Sequence, residues 1–441
     1  MQIRKQNSGK TFYHQRMKSC QRIIKIKSVA LFLSVGKIVL KSFSFLFIFL
    51  FAVLLWLGCN SKPEENSESM ARSEFLLQHG EAALRQNEFD FALALADSAG
   101  KLAPKNSNVY FLRARIFSEL GQWQKAKAAY RQVLALEPNY RGAWNNLGNN
   151  AYRQQEFRRA IVFYQKELAI NAEAIPWRGM GRAYVELGKV DSAQFAFRRA
   201  LASDSLYAPA HFNLALLLEG EGEIAPALHH ARRAWQIEPD NLEYRYVAGE
   251  LLVKNKKYEQ ALEVLRAVVD GMPWHRGAQY NYGQALQRLG RPEEAKKYLD
   301  EAERVRAIAA QIEHLENTVR SLPNDPMAHA SLAFALRRVG RYNDAMHAYK
   351  VAAHLAPANM EIQNNIANLY LIKSDTAAAI NHYQMILQHD PKLFDIWMNL
   401  GVVCALAKKY GAARQAWQKA LQLAPDHPAA KAYLARLPKT Q

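Results

Sequence analysis

The chain has 441 residues, of which 50% are apolar and 22% charged, with only 21 Gly and 16 Pro. That balance excludes a disordered or collagen-like chain, and the length admits two or three ordinary domains or one long repeat array. The formal charge is +18, but ten basic residues and no acid fall within residues 1–58, from Arg4 to Lys41. Much of the basicity therefore belongs to the N-terminus, so no nucleic-acid partner is expected. Three cysteines without a CxxC spacing exclude a disulfide framework and a zinc cluster.

In chain order, the first feature is an unbroken apolar run from Phe45 to Leu57, preceded by Lys37 and Lys41. It is shorter than the ~20 residues a membrane-spanning helix needs. A basic flank, a short apolar stretch and then small residues form the layout of a secretory signal. The run ends in Trp56-Leu57-Gly58-Cys59-Asn60. A small residue directly before a lone Cys resembles the signal of bacterial lipoproteins, which implies lipidation at Cys59 and a mature chain that begins there. The alternative is an uncleaved anchor joining Val29–Leu40 to the Phe45–Leu57 run, which would hold Lys37 and Lys41 at a cost within the span. Either way residues 1–58 are an address, and residues 59–72, polar over Ser61–Met70, are a tether. The expected location is the cell envelope, membrane-anchored on the extracytoplasmic (periplasmic) side, with the outer membrane as one destination.

From Ser73 the chain repeats itself every 34 residues. Ten units start at Ser73, Ser107, Arg141, Ala174, Ala208, Leu242, Arg276, Pro326, Met360 and Phe394. Position 20 of every unit is Ala, position 8 is always Gly or Ala, and seven units carry Pro at position 32, from Pro104 to Pro425. Apolar residues recur three and four apart in two stretches per unit, as in Tyr110, Ala114, Phe117 and then Ala126, Ala129, Tyr130, Val133. That is the pattern of two amphipathic helices. Pro at position 32 stops the second helix, because it lacks an N–H and clashes with the preceding turn.

This pattern resembles the tetratricopeptide repeat (TPR) family. The nearest unit is 141–174, with Trp144, Leu147, Gly148, Tyr152, Phe157, Ala160 and Tyr164. The resemblance implies an all-α, right-handed superhelical solenoid of about ten helix-turn-helix repeats, with positions 8 and 20 at the helix crossing. Units 1–7 would span 73–309 and units 8–10 would span 326–427. Residues 428–441 supply a capping helix, Pro428–Leu437, and a tail. The step between Arg276 and Pro326 is too long, and residues 310–325 are read as an inserted helical extension. Val305, Ile308, Ile312, Leu315, Val319 and Leu322 recur there at a heptad-like spacing. A lengthened second helix is the first reading; a dimerisation helix, or a hinge between units 7 and 8, is the alternative.

Catalysis finds little support in the residues. No HExxH motif is present, and His229-His230 are adjacent on a helix, where neighbours point apart. In Gly179-Met180-Gly181 the second Gly is the position-8 residue and no strand precedes it, so a phosphate loop is not expected. The chain is read as no enzyme, with no cofactor and no metal. Binding is better supported. In the TPR family the first helices line a concave groove, and position 6 points into it. That position is Asn146, Asn213, Asn281, Asn365 and Asn399 in units 3, 5, 7, 9 and 10, with Asn149 and Asn368 one turn further on. An amide donates and accepts at once, so it suits an extended peptide backbone of any sequence. The arrangement is similar to the asparagine ladder in the TPR region of O-linked N-acetylglucosamine transferases, interrupted here by Gly179, Val247 and Ser331. The Lys and Asn set of chaperone-tail clamps is incomplete. The expected partner is a protein or peptide, on a membrane-tethered scaffold within an envelope assembly or secretion complex. The alternative is a polysaccharide or peptidoglycan carrier using Trp144, Trp177 and Trp397 at position 4.

Overall fold

The computed structural model describes residues 64–438, with side chains from Glu68 onward. Cys59, the apolar run before it and the first part of the tether lie outside the described residues. Among those described there are only helices. We number them α1 (Glu64–Arg85) and α2 (Phe89–Leu102) for unit 1, α3 (Ser107–Glu119) and α4 (Trp123–Leu136) for unit 2, and α5 (Ala143–Arg153) and α6 (Phe157–Ile170) for unit 3. Units 4 to 6 follow as α7 (Ala174–Glu186), α8 (Val190–Ser203), α9 (Ala208–Gly220), α10 (Ile224–Ile237), α11 (Leu242–Lys254) and α12 (Tyr258–Gly271). Units 7 and 8 are α13 (Arg276–Arg288), α14 (Pro292–Ser321), α15 (Pro326–Arg338) and α16 (Tyr342–Leu355). Then come α17 (Met360–Ile372), α18 (Thr376–His389), α19 (Phe394–Leu406), α20 (Tyr410–Leu423) and the cap, α21 (Pro428–Arg436).

The crossing of the two helices sets the unit. Every position-20 alanine from Ala92 to Ala413 is at most 1% exposed. Opposite it, the position-8 glycine of units 3, 4, 6, 7 and 10 meets a large side chain from position 24. A Cβ added at Gly148 would lie 2.6 Å from Cε1 of Tyr164, and one at Gly401 would lie 2.2 Å from Nε1 of Trp417. A carbon atom cannot approach that closely without displacing the ring, so Gly there follows from the packing. The position-32 prolines stand just past the ends of their helices, as Pro104 does after α2 and Pro425 after α20.

One boundary differs from the sequence pattern. Helix α1 reaches back to Glu64, into the polar stretch read as a tether. Glu, Ser, Met and Ala are compatible with a helix, and Arg72 donates to Glu68 at 2.5 Å across one turn. The inserted residues lengthen the second helix of unit 7: α14 runs for 30 residues as one helix. Its second half presents Ile308, Ile312, Leu315 and Val319 to the core of unit 8. At the far end, Ala430 of α21 is buried, and Leu434 and Leu437 cover the last apolar face.

First helices of successive units pack on one another through units 2–7, whereas second helices do not approach each other comparably. The array therefore curves with its first helices inside. After seven units it returns on itself: α16 of unit 8 packs on α2 of unit 1. Val351, 1% exposed, belongs to the same apolar cluster as Leu77, Phe89 and Leu120 of units 1 and 2.

The crossing yields a test. Ala227 is fully buried, so Ala227→Leu should overfill it and cost about 1–3 kcal/mol. Because repeats contact mainly their neighbours, hydrogen exchange should accelerate first in units 4–6. A uniform acceleration along the array, or none, would contradict this account.

Candidate functional site

The position-6 asparagines lie on the inner helices, and the structure divides them. Asn146 donates from Nδ2 to the Gly142 carbonyl at 2.9 Å, closing the start of its own helix. Asn213 accepts from Arg178 Nε of the preceding unit at 2.8 Å. Asn281 donates to the Tyr246 hydroxyl of the unit before it at 3.4 Å. Asn365 and Asn399 are half-buried and have no hydrogen-bond partner among the described residues. The two position-9 residues are taken up by packing: the Tyr164 hydroxyl donates to Asn149 at 2.9 Å, and the Tyr383 hydroxyl to Asn368 at 2.6 Å. Burial raises both phenols, that of Tyr383 to about 12, so they remain neutral donors.

The break in the asparagine series at Gly179 has a steric cause. A Cβ at Gly179 would lie 2.7 Å from Tyr164 Cε1, the ring that also fills the space beside Gly148. The large position-24 residue of unit 3 leaves no room for a side chain at position 6 of unit 4.

A second ladder was not read from the sequence. Arg115 pairs with Glu81, Arg153 with Glu119 at 3.5 Å, and Lys254 with Glu219. The Tyr152 hydroxyl donates to Glu186 at 2.7 Å, and the Arg182 guanidinium lies over the Tyr152 ring at 4.4 Å. The ion-paired and hydrogen-bonded partners are one period apart, 34 or 35 residues, on adjacent inner helices. The signal was available as opposite charges separated by one repeat. Glu167, 2% exposed, was also missed; its carboxylate accepts from the Gly142 N–H at 2.6 Å and the Asn145 N–H at 3.1 Å, capping α5.

The position-4 tryptophans are engaged by their neighbours. Trp144 stacks on Phe163 with Lys166 at 4.2 Å over its ring, and Trp177 packs against Phe195 with Arg199 at 5.4 Å. Trp397 Nε1 donates to the Pro391 carbonyl at 2.8 Å. The insertion opens one cleft of about 300 Å³ between Trp274, His275, Ile312, Glu313 and Arg341.

No group of three or more residues able to hold a metal occurs among the described residues. His230 instead faces His211, with their Nδ1 atoms 2.9 Å apart. His211 Nε2 lies 3.2 Å from the Ser205 carbonyl; donating there leaves Nδ1 as the acceptor for His230. Burial, then the neighbouring His211 and His229, push His230 from 6.5 down to about 4. Between those values the unfolded chain takes up a proton that the folded chain refuses, so stability is complete above pH about 6.5 and falls toward pH 4. Thermal unfolding followed from neutral pH to about 4 should show this decline, and a shallower one in His230→Asn. Equal slopes would remove the pair as its source.

Comparisons with known proteins agree with the geometry. Three family models described as "Tetratricopeptide repeat" match residues 107–140 and 394–427, 252–307, and 331–393. A fourth, "Anaphase-promoting complex, cyclosome, subunit 3", matches residues 186–268. The chain is thus an all-helical solenoid of tetratricopeptide repeats, a scaffold suited to protein interactions. Among curated relatives, it is 27% identical to small glutamine-rich tetratricopeptide repeat-containing protein 2 of Saccharomyces cerevisiae over 25% of this chain and 32% of that one. It is 21% identical to the BBSome complex member BBS4 of Bos taurus over 72% of this chain and 58% of that one. The chain thus spans about a third and somewhat over half of the length of these relatives. Among solved structures, YrrB, described as a TPR protein with an unusual peptide-binding site, aligns over 41% of this chain and 93% of its own, at 24% identity and a TM-score of 0.36.

Proposed function

We propose that the protein is a membrane-tethered scaffold that holds a protein or extended peptide against its inner helices, within an envelope assembly or secretion complex. The observation that carries this reading is the pair Asn365 and Asn399. They occupy the same register position in consecutive units and keep amides that no described residue engages. Each offers a peptide backbone one donor and one acceptor. The other five asparagines act in this reading by holding the inner face in shape.

Tethering rests on the sequence alone. Among the described residues no helix is long and apolar enough to cross a membrane. Phe45–Leu57 and Gly58-Cys59 are therefore the support for attachment, through a lipid on Cys59, on the extracytoplasmic side. Mass spectrometry of the mature protein is expected to show a diacylated N-terminal Cys59. An unlipidated N-terminus upstream of residue 58 removes that part of the proposal.

The groove is tested separately. Each amide bond to a bound backbone contributes about 0.5–1.5 kcal/mol net. Replacing Asn365 and Asn399 together by Ala should weaken partner binding about 5- to 150-fold with the melting temperature kept. The partner is the protein that co-purifies stoichiometrically from native envelopes. A lowered melting temperature with affinity unchanged would make these residues structural, and a normally folded variant that binds at full strength would exclude them from the site.

A further inference from the structure

The contact between unit 8 and units 1 and 2 has a smaller apolar share than the contacts between neighbouring units. Neighbours bury Ala, Leu, Val and Tyr against one another. Across the return contact the apolar part is small, with Val351 and Leu355 of α16 against the first cluster. The remainder is polar. Lys350, 8% exposed, donates from Nζ to the Gln86 carbonyl at 2.9 Å and pairs with the Glu88 carboxylate. Its Nζ also sits 5.6 Å above the Tyr370 ring of unit 9. The Asn87 side-chain oxygen lies 2.8 Å from His347 Nδ1, and Asp90 lies 2.6 Å from His354 Nδ1. The other His354 nitrogen is 3.3 Å from the Gln122 amide. Beyond it Pro323, just after α14, presses on Gly121, whose added Cβ would lie 3.1 Å away.

Such a contact is poised between holding and parting. Interfaces inside one chain that are rich in polar groups permit relative motion, unlike a continuous apolar core. A buried ion pair contributes little net stability, because desolvation offsets attraction. Here opening carries little penalty for the acid: the Glu88 side chain is already 46% exposed, and within the ion pair the water gained falls mainly to Lys350. Most of each half's packing lies outside the seam: unit 8 completes an apolar cluster with α14 and unit 9, while the cluster of units 1 and 2 takes Val351 and Leu355 from unit 8.

We propose that this seam is a reversible latch. Closed, it rests the second turn of the solenoid on the first and seals the gap between turns. Open, it exposes the inner face of units 1–8 from the side. Lys350 is the pin and Glu88 its catch. The long α14 makes this closure possible, because its second half carries unit 8 forward before the repeat resumes. The latch is a property of the chain alone and stands apart from the identity of any partner.

The test places a reporter inside the seam of the full chain. Val351→Cys is close to isosteric and puts a thiol where residue 351 is 1% exposed. Iodoacetamide should label it only when the seam parts, read by mass spectrometry at that residue. Adding Glu88→Lys should accelerate labelling about tenfold or more and lower the sedimentation coefficient, with helix content kept. Adding Glu88→Asp, which retains the carboxylate, should leave labelling near the parent rate. Labelling that Glu88→Lys does not accelerate would overturn the proposal. So would labelling that begins only where the helical signal is lost, which would make the seam ordinary packing.

Discussion

The close approach of two helices within each unit is the constraint from which the rest follows. A position-20 alanine and a small residue at position 8 let the axes near each other, and in all units but 1 and 5 a large side chain stands at position 24 to fill the space. Tyr130, Tyr164, Tyr349 and Tyr383 play that part in units 2, 3, 8 and 9 and are at most 1% exposed. Since every unit buries one face against its own partner helix and the other against the next unit, stability is a sum of local terms and the array can be long. The filler also reaches the inner surface: the Tyr164 ring that demands Gly148 also demands Gly179, and its hydroxyl holds Asn149. Packing and the candidate groove are thus set by the same residues.

The insertion shows what happens when that local rule is relaxed once. By extending α14 to 30 residues, the chain changes where unit 8 begins without disturbing either neighbour's core. The inner layer of first helices runs through units 2–7, and unit 8 instead meets units 1 and 2. A one-dimensional repeat thereby acquires a contact between residues some 260 apart in sequence, such as Lys350 with Glu88 and His354 with Asp90. That contact uses charge and hydrogen bonds, because the faces that meet there are outer and turn surfaces, which the repeat leaves polar.

The pattern of asparagines illustrates how far a register position predicts a role. All five position-6 amides share one place in the repeat, yet their neighbours differ. Asn213 finds Arg178, Asn281 finds Tyr246 and Asn146 turns to its own helix, while Asn365 and Asn399 meet nothing that bonds them. A side chain three bonds long reaches the preceding unit, so its state depends on residues one period away. The two free amides follow Ala330 and Asn364 at position 5 of the preceding units, where units 4 and 6 offer Arg178 and Tyr246. Position 5 alone does not separate the two groups, because Asn146 follows Phe111 and bonds its own helix instead.

The sequence by itself determined the helices, their pairing and their number. The period, the small residues at 8 and 20 and the proline at 32 are local rules, each enforced within one unit by sterics and backbone chemistry. It also placed the cap and the long helix, since apolar spacing reports which face a helix buries. Only the tertiary structure decided that unit 8 lies against units 1 and 2, that Lys350 is buried on Glu88, and which asparagines keep their amides unbonded. Those outcomes depend on small rotations between units summed over seven repeats. No single unit encodes that sum, and a polar residue looks the same in a sequence whether it meets water or another turn of the chain.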